Sequence, residues 1–170
     1  MSRTVTFKGT PVPLSGDGPK VGDDAPNATL VGADLSEVKL SSFKGTVVIL
    51  SVVPSLDTGI CDIETKRFNA EASKVPGVKI VTVSRDLPFA QKRWCGAAGV
   101  SNVTMLSDFR DGNFGKAYGI VLAGSPLAGL LAREVLVVGK DGRVKYRQLV
   151  PEIAQEPNYD EVIAAAKAAS

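Results

Sequence analysis

The chain has 170 residues, 44% of them hydrophobic and 22% charged, ordinary usage for a soluble globular protein, so disordered and collagen-like architectures are excluded and one domain spanning residues 1–170 is expected. A formal charge of +2 provides no field to gather nucleic acid or an anionic membrane. No histidine is present, which rules out Ser-His and Cys-His catalysis, and two cysteines are too few for a thiolate zinc site, although carboxylate sites for hard cations stay open.

The stretch from Met1 to about Leu40 reads as an N-terminal β extension, with short strands at Ala28 to Gly32 and Glu37 to Leu40 after a Gly/Pro-rich opening. Thr46 to Val53 is β-branched and almost continuously apolar, the pattern of a central strand covered on both faces. With Pro54 it forms the longest apolar run, far short of the roughly 20 residues that span a bilayer. The N-terminus also lacks the apolar segment of a secretory signal, so the cytoplasm is the expected compartment.

A turn-rich segment, Pro54 to Gly59, leads into a predicted helix from about Thr58 to Lys74. Val78 to Ser84 is a second buried strand, Pro88 to Ala97 a short helix entered through proline, and Val103 to Leu106 a third strand. This β-α-β-α-β alternation calls for parallel neighbours. Arg133 to Val138 and Val144 to Leu149 follow as a hairpin across Gly139 to Gly142, and a closing helix from about Tyr159 carries Val162, Ile163 and Ala166 on one face. The expected class is α/β and thioredoxin-like, a mixed central sheet flanked by helices.

Cys61 falls in the first turn of the predicted helix after the central strand. Unpaired N–H groups and the positive end of the helix dipole favour an anion there, and the thiolate is the nucleophilic form of cysteine. Thr58, three residues earlier on the same side, can cap the helix or face whatever Cys61 attacks, and Pro54 stiffens the approach. A capping threonine beside a buried, inert cysteine accounts for the same spacing. Cys95 precedes two glycines in Gly96 to Gly99, a segment that unwinds cheaply. It suits either a core position or condensation with an oxidised Cys61. Arg133 opens an otherwise apolar strand, either as a solvated strand end or as a cation within reach of the thiolate.

The run Pro54-Ser55-Leu56-Asp57-Thr58-Gly59-Ile60-Cys61 resembles the peroxiredoxin pattern Pro-x-x-x-Thr-x-x-Cys, and Ser84 to Gln91 with Cys95 resembles a segment of the thiol peroxidase branch of that family. The likeness extends from Thr4 to the last helix. It implies that Cys61 is the peroxidatic cysteine, Thr58 the hydroxyl that orients peroxide, Pro54 a shield, Arg133 the cation beside the thiolate and Cys95 the resolving cysteine. It further implies an N-terminal β-hairpin, a homodimer, no bound cofactor, a hydroperoxide substrate and thioredoxin as electron donor.

Two other readings stay in view. In one, the cysteine pair is a redox sensor or scaffold and peroxide reactivity is incidental. In the other, the chain is a disulfide oxidoreductase, but that chemistry uses Cys-x-x-Cys, and Cys61 is followed by Asp62, Ile63 and Glu64.

Overall fold

The structure, a computed structural model, describes residues 3–170, so Met1 and Ser2 of the expected β extension lie outside the described residues. Thr4–Phe7 (β1) and Thr10–Pro13 (β2) form a two-stranded antiparallel ribbon of their own. Its turn places Lys8 and Gly9 at φ +51° and +83°, the primed geometry that matches strand twist. Pro11 and Pro13 are tolerated in β2 because they alternate with Thr10 and Val12, the residues that close the ribbon's ladder, so neither is asked for an N–H.

Thr29–Val31 (β3) and Glu37–Lys39 (β4) do not belong to an extension. They pair with each other and join the central sheet through Val31 opposite Ser107. Leu30 and Val31 are almost fully buried, and three-residue strands carry too little pattern to reveal which sheet will cover them.

Val47–Val52 (β5) leads into Gly59–Glu71 (α1) and a short 3-10 turn at Ala72–Lys74. Then come Val78–Ser84 (β6), Pro88–Ala98 (α2), Thr104–Ser107 (β7), Asn113–Tyr118 (α3), Glu134–Val138 (β8), Val144–Leu149 (β9) and Tyr159–Ala169 (α4). The sheet runs β4-β3-β7-β6-β5-β8-β9. The β5, β6 and β7 strands are mutually parallel and the flanking strands antiparallel, the expected mixed thioredoxin-like sheet.

Alternation along β5 divides the interior. Val47, Ile49 and Val53 face a core built with Cys61, Phe68, Trp94, Tyr159 and Val162 from α1, α2 and α4. Val48, Leu50 and Val52 face the opposite core, with Phe114, Tyr118 and Leu131. The six-residue α3 in that second core escapes sequence periodicity because it is shorter than two turns. Its role is evident only in space, where Phe114 and Tyr118 stack at 4.4 Å.

A third cluster seats the hairpin, with Val5 and Val12 against Leu122, Ala132 and Ile153. Backbone bonds from Thr6 N–H to the Pro151 carbonyl (2.8 Å) and from Ile153 N–H to the Thr6 carbonyl (2.9 Å) stitch β1 to the segment after β9. Glu152 reinforces this seam by accepting from the Thr6 hydroxyl and the N–H groups of Gly9 and Ala154. Ahead of β1, Arg3 pairs with the buried carboxylate of Glu134, which Arg147 meets from β9 at 3.3 Å.

Candidate active site

The central strand delivers the chain to a buried bend at Pro54, and Asp86 then fixes the loop that precedes α1. Its carboxylate accepts from the Ser55 hydroxyl (2.7 Å), the Leu56 N–H (2.8 Å) and the Ser84 hydroxyl (2.7 Å). Thr58 takes the extended conformation of an N-cap but makes no side-chain cap. Its hydroxyl donates instead to the Ser55 carbonyl at 2.9 Å, which leaves the oxygen's lone pairs free to accept. Thr58 thus holds the N-cap position without a side-chain capping bond.

Cys61, the third residue of α1, is fully buried. The N–H groups of Gly59, Ile60 and Cys61 itself have no acceptor within the helix, so the first turn supplies donors beside the sulfur. Arg133 lies 72 positions away in sequence, yet its Nη1 is 3.3 Å from Cys61 Sγ. It sits one residue ahead of β8 and is only 2% exposed, so it is no solvated strand end.

Two further groups aim the guanidinium. Glu64 Oε1 accepts from Arg133 Nη1 at 3.1 Å, and the Ile153 carbonyl accepts from Nε at 3.0 Å. Ser51, on the β5 face that looks at α1, donates to the other Glu64 oxygen at 2.7 Å. Burial pushes the Glu64 carboxyl above its usual range while Arg133 and Ser51 pull it back. Burial likewise opposes the Arg133 charge, but Cys61 and Glu64 outweigh it and hold the guanidinium more firmly protonated than usual. A cation fixed from three sides beside a sulfur at a helix N-terminus is built to face negative charge in a site closed to water.

Cys95 presents the opposite environment. Its half-buried thiol packs at the border of the core that holds Cys61, and burial pushes the thiol up. Both cysteines are free. The helix around Cys95 ends at Gly99 in the left-handed conformation at φ +69°.

The structure thus brings Cys61 and Arg133 into contact, sets Thr58 and Pro54 in the loop leading to α1, and carries Cys95 on the neighbouring helix. Glu64, Ser51 and Asp86 were not singled out from the sequence. Glu64 stands three residues after Cys61, the spacing that shares a helix face, and Ser51 is the one polar residue inside an apolar strand, so each left a faint signal. Asp86 lies within the Ser84 to Gln91 run, but its bonds to Ser55 and Leu56 reach a separate segment that the run does not contain.

A sheet of this topology carrying this cysteine and arginine places the chain in a known class. It belongs to the redoxin family, whose pattern matches residues 20–163. Its relatives are thiol peroxidases: that of Halalkalibacterium halodurans is 51% identical over 98% of each chain, and that of Bacillus subtilis 50% identical over 96% of each. Among solved structures, a peroxiredoxin-like protein from Aquifex aeolicus is 48% identical and superimposes with a TM-score of 0.94, covering 100% of this chain and 99% of that one.

Proposed function

We propose that this chain is a thiol peroxidase that reduces hydroperoxides through Cys61 and closes a disulfide to Cys95 within one subunit. The observation that carries this reading is the buried Cys61 sulfur 3.3 Å from a guanidinium that Glu64 and Ile153 hold in place. The Cys61 thiolate attacks the distal peroxide oxygen, an S–O bond forms, and the O–O bond breaks. Thr58 accepts the peroxide O–H and so orients the substrate. Arg133 and the first-turn N–H groups stabilise charge moving onto the departing oxygen, which takes a proton and leaves as water or alcohol. Pro54 keeps water from the sulfur.

Cys61 is then a sulfenic acid. The Cys95 sulfur attacks it, the S–O bond breaks, and the hydroxide leaves with the Cys95 proton as water. A dithiol donor, thioredoxin in this reading, reduces the disulfide by exchange. No cofactor enters these steps. The working form is a cytoplasmic homodimer, and the relatives' shared name supports the peroxidase activity.

The test is to mix reduced protein with one equivalent of hydrogen peroxide, count thiols and weigh the product. Loss of both thiols with the mass of a single chain is the expected outcome. Survival of both thiols in excess peroxide would overturn the proposal.

A further inference from the structure

The two helices that carry the cysteines are tied to each other next to those cysteines. The Trp94 indole N–H, on the residue before Cys95, donates to Asp62 Oδ1, on the residue after Cys61, at 2.8 Å. The other Asp62 oxygen meets Lys66 Nζ at 2.9 Å, which fixes the carboxylate's orientation along α1. Trp94 is 8% exposed and its ring packs in the core that holds Cys61, while Asp62 lies at the border of that core. A second tie lies one step further along. Asn69 of α1 accepts from the N–H groups of Ser101 (3.2 Å) and Asn102 (2.8 Å), just past the end of α2. Between the two ties run Cys95 and Gly96 in the last turns of α2 and Gly99 at its C-cap, two glycines that lower the cost of unwinding.

Disulfide closure needs the two Cβ atoms within about 3.5–4.5 Å. Cys61 is fully enclosed in the core, so it must leave the first turn of α1, or Cys95 must leave α2, or both. Unwinding α1 at Cys61 displaces Asp62, and unwinding α2 at Cys95 displaces Trp94. Either route separates the same donor from the same acceptor.

We propose that the Trp94–Asp62 hydrogen bond is a latch that holds the peroxide-reactive conformation and sets how fast Cys95 resolves the oxidised Cys61. The inference rests on the cysteine roles proposed above and adds a positioning residue, Trp94, that touches neither sulfur's chemistry. While the latch is shut, Cys95 is a half-buried thiol rather than the thiolate that attacks efficiently. The latch lengthens the life of the sulfenic acid, and a longer life gives a second peroxide time to carry Cys61 to sulfinic acid.

The experiment compares the unmodified protein with Trp94→Phe, which keeps the aromatic packing and deletes the donor. Rapid quench with thiol counting separates loss of the first thiol from closure of the disulfide. Trp94→Phe is expected to leave the peroxide step unchanged and to speed closure by roughly tenfold or more, the effect of one hydrogen bond to a charged group. The peroxide concentration that inactivates half the enzyme should rise by a similar factor. Asp62→Asn keeps the tryptophan as a fluorescent reporter and a weaker neutral acceptor, and its closure should fall between the other two. Closure in both variants at or below the unmodified rate would overturn the latch. If the unmodified protein itself forms no disulfide, the pairing of Cys61 with Cys95 fails, and the latch with it.

Discussion

The surroundings of the two cysteines differ in kind. Cys61 sits where three elements converge, with Arg133 from the start of β8, Glu64 from α1 and Ser51 from β5 joined in one buried network. Every polar group there answers another, so removing one leaves a desolvated charge behind. Cys95 sits at the edge of the same core beside glycines, and burial rather than an ionic partner governs its thiol. One site is rigid and charged, the other pliable and apolar. In the proposed mechanism the nucleophile, ready before substrate arrives, needs the first, and the partner that travels to it needs the second.

The sharpest way to break this contrast is to delete each sulfur. Cys61→Ser should abolish peroxide consumption, whereas Cys95→Ser should still consume roughly one equivalent and then fail to turn over with a dithiol protein donor, as read by peroxide assay and by mass. Sustained turnover by Cys95→Ser would erase the distinction between the two sites.

Arg133→Met should slow the first step by about 10²–10³-fold, the effect of removing one preorganised donor. It should also lower stability by about 3–5 kcal/mol, because Glu64 is left buried without its counter-ion and must take up a proton or stay uncompensated. Adding Glu64→Leu should restore much of the melting temperature and none of the rate. Stopped-flow kinetics beside calorimetry would separate chemistry from folding, and recovery of both together would show that Arg133 acts only through stability.

Thr58→Val should slow the peroxide step about tenfold, the worth of one hydrogen bond to the substrate, and leave stability nearly unchanged because the exposed Thr58 side chain makes no capping bond. A matching fall in melting temperature would mean that its bond to the Ser55 carbonyl is the part that counts.

The smallest effect concerns the seam that supports the Ile153 carbonyl behind Arg133. The N–H groups of Ala154 and Gly9 hold the Glu152 carboxyl below the usual carboxylate range. Its folded pKa is depressed, so its contribution is fully present above the ordinary glutamate value of about 4.5 and fades as pH falls through the lowered one. The protection factors of the Gly9 and Ala154 amides, corrected for the intrinsic pH dependence of exchange, should therefore be larger at neutral pH than in acid below the lowered value, and equal protection at both would remove Glu152 from the seam.

Legibility in the sequence followed how local each signal is. The bounds of β6 and β9 coincide with the apolar and β-branched runs that predict them, and β5 lies within one residue of its predicted ends. Cys61 at a helix start follows directly from the strand-turn-helix pattern. What stayed open was which of the readings for Thr58, Arg133 and Cys95 holds, and those roles came from family resemblance rather than from spacing. Arg133 beside Cys61 depends on the pairing of β8 with β5, a long-range event no window of residues contains. Glu64 and Ser51 meet only because α1 lies across the serine face of β5, and β3 and β4 found the central sheet through a single residue pair.

Arg3 lends the extreme N-terminus a weight that its place in the chain hides. Its guanidinium pairs with Glu134, the neighbour of Arg133 in sequence, and also donates to the carbonyls of Tyr118 and Gly119. Replacing Arg3 would strip a buried carboxylate of one of its two counter-ions. A single position near the start of the chain thus guards the charge balance of a strand that runs through the core.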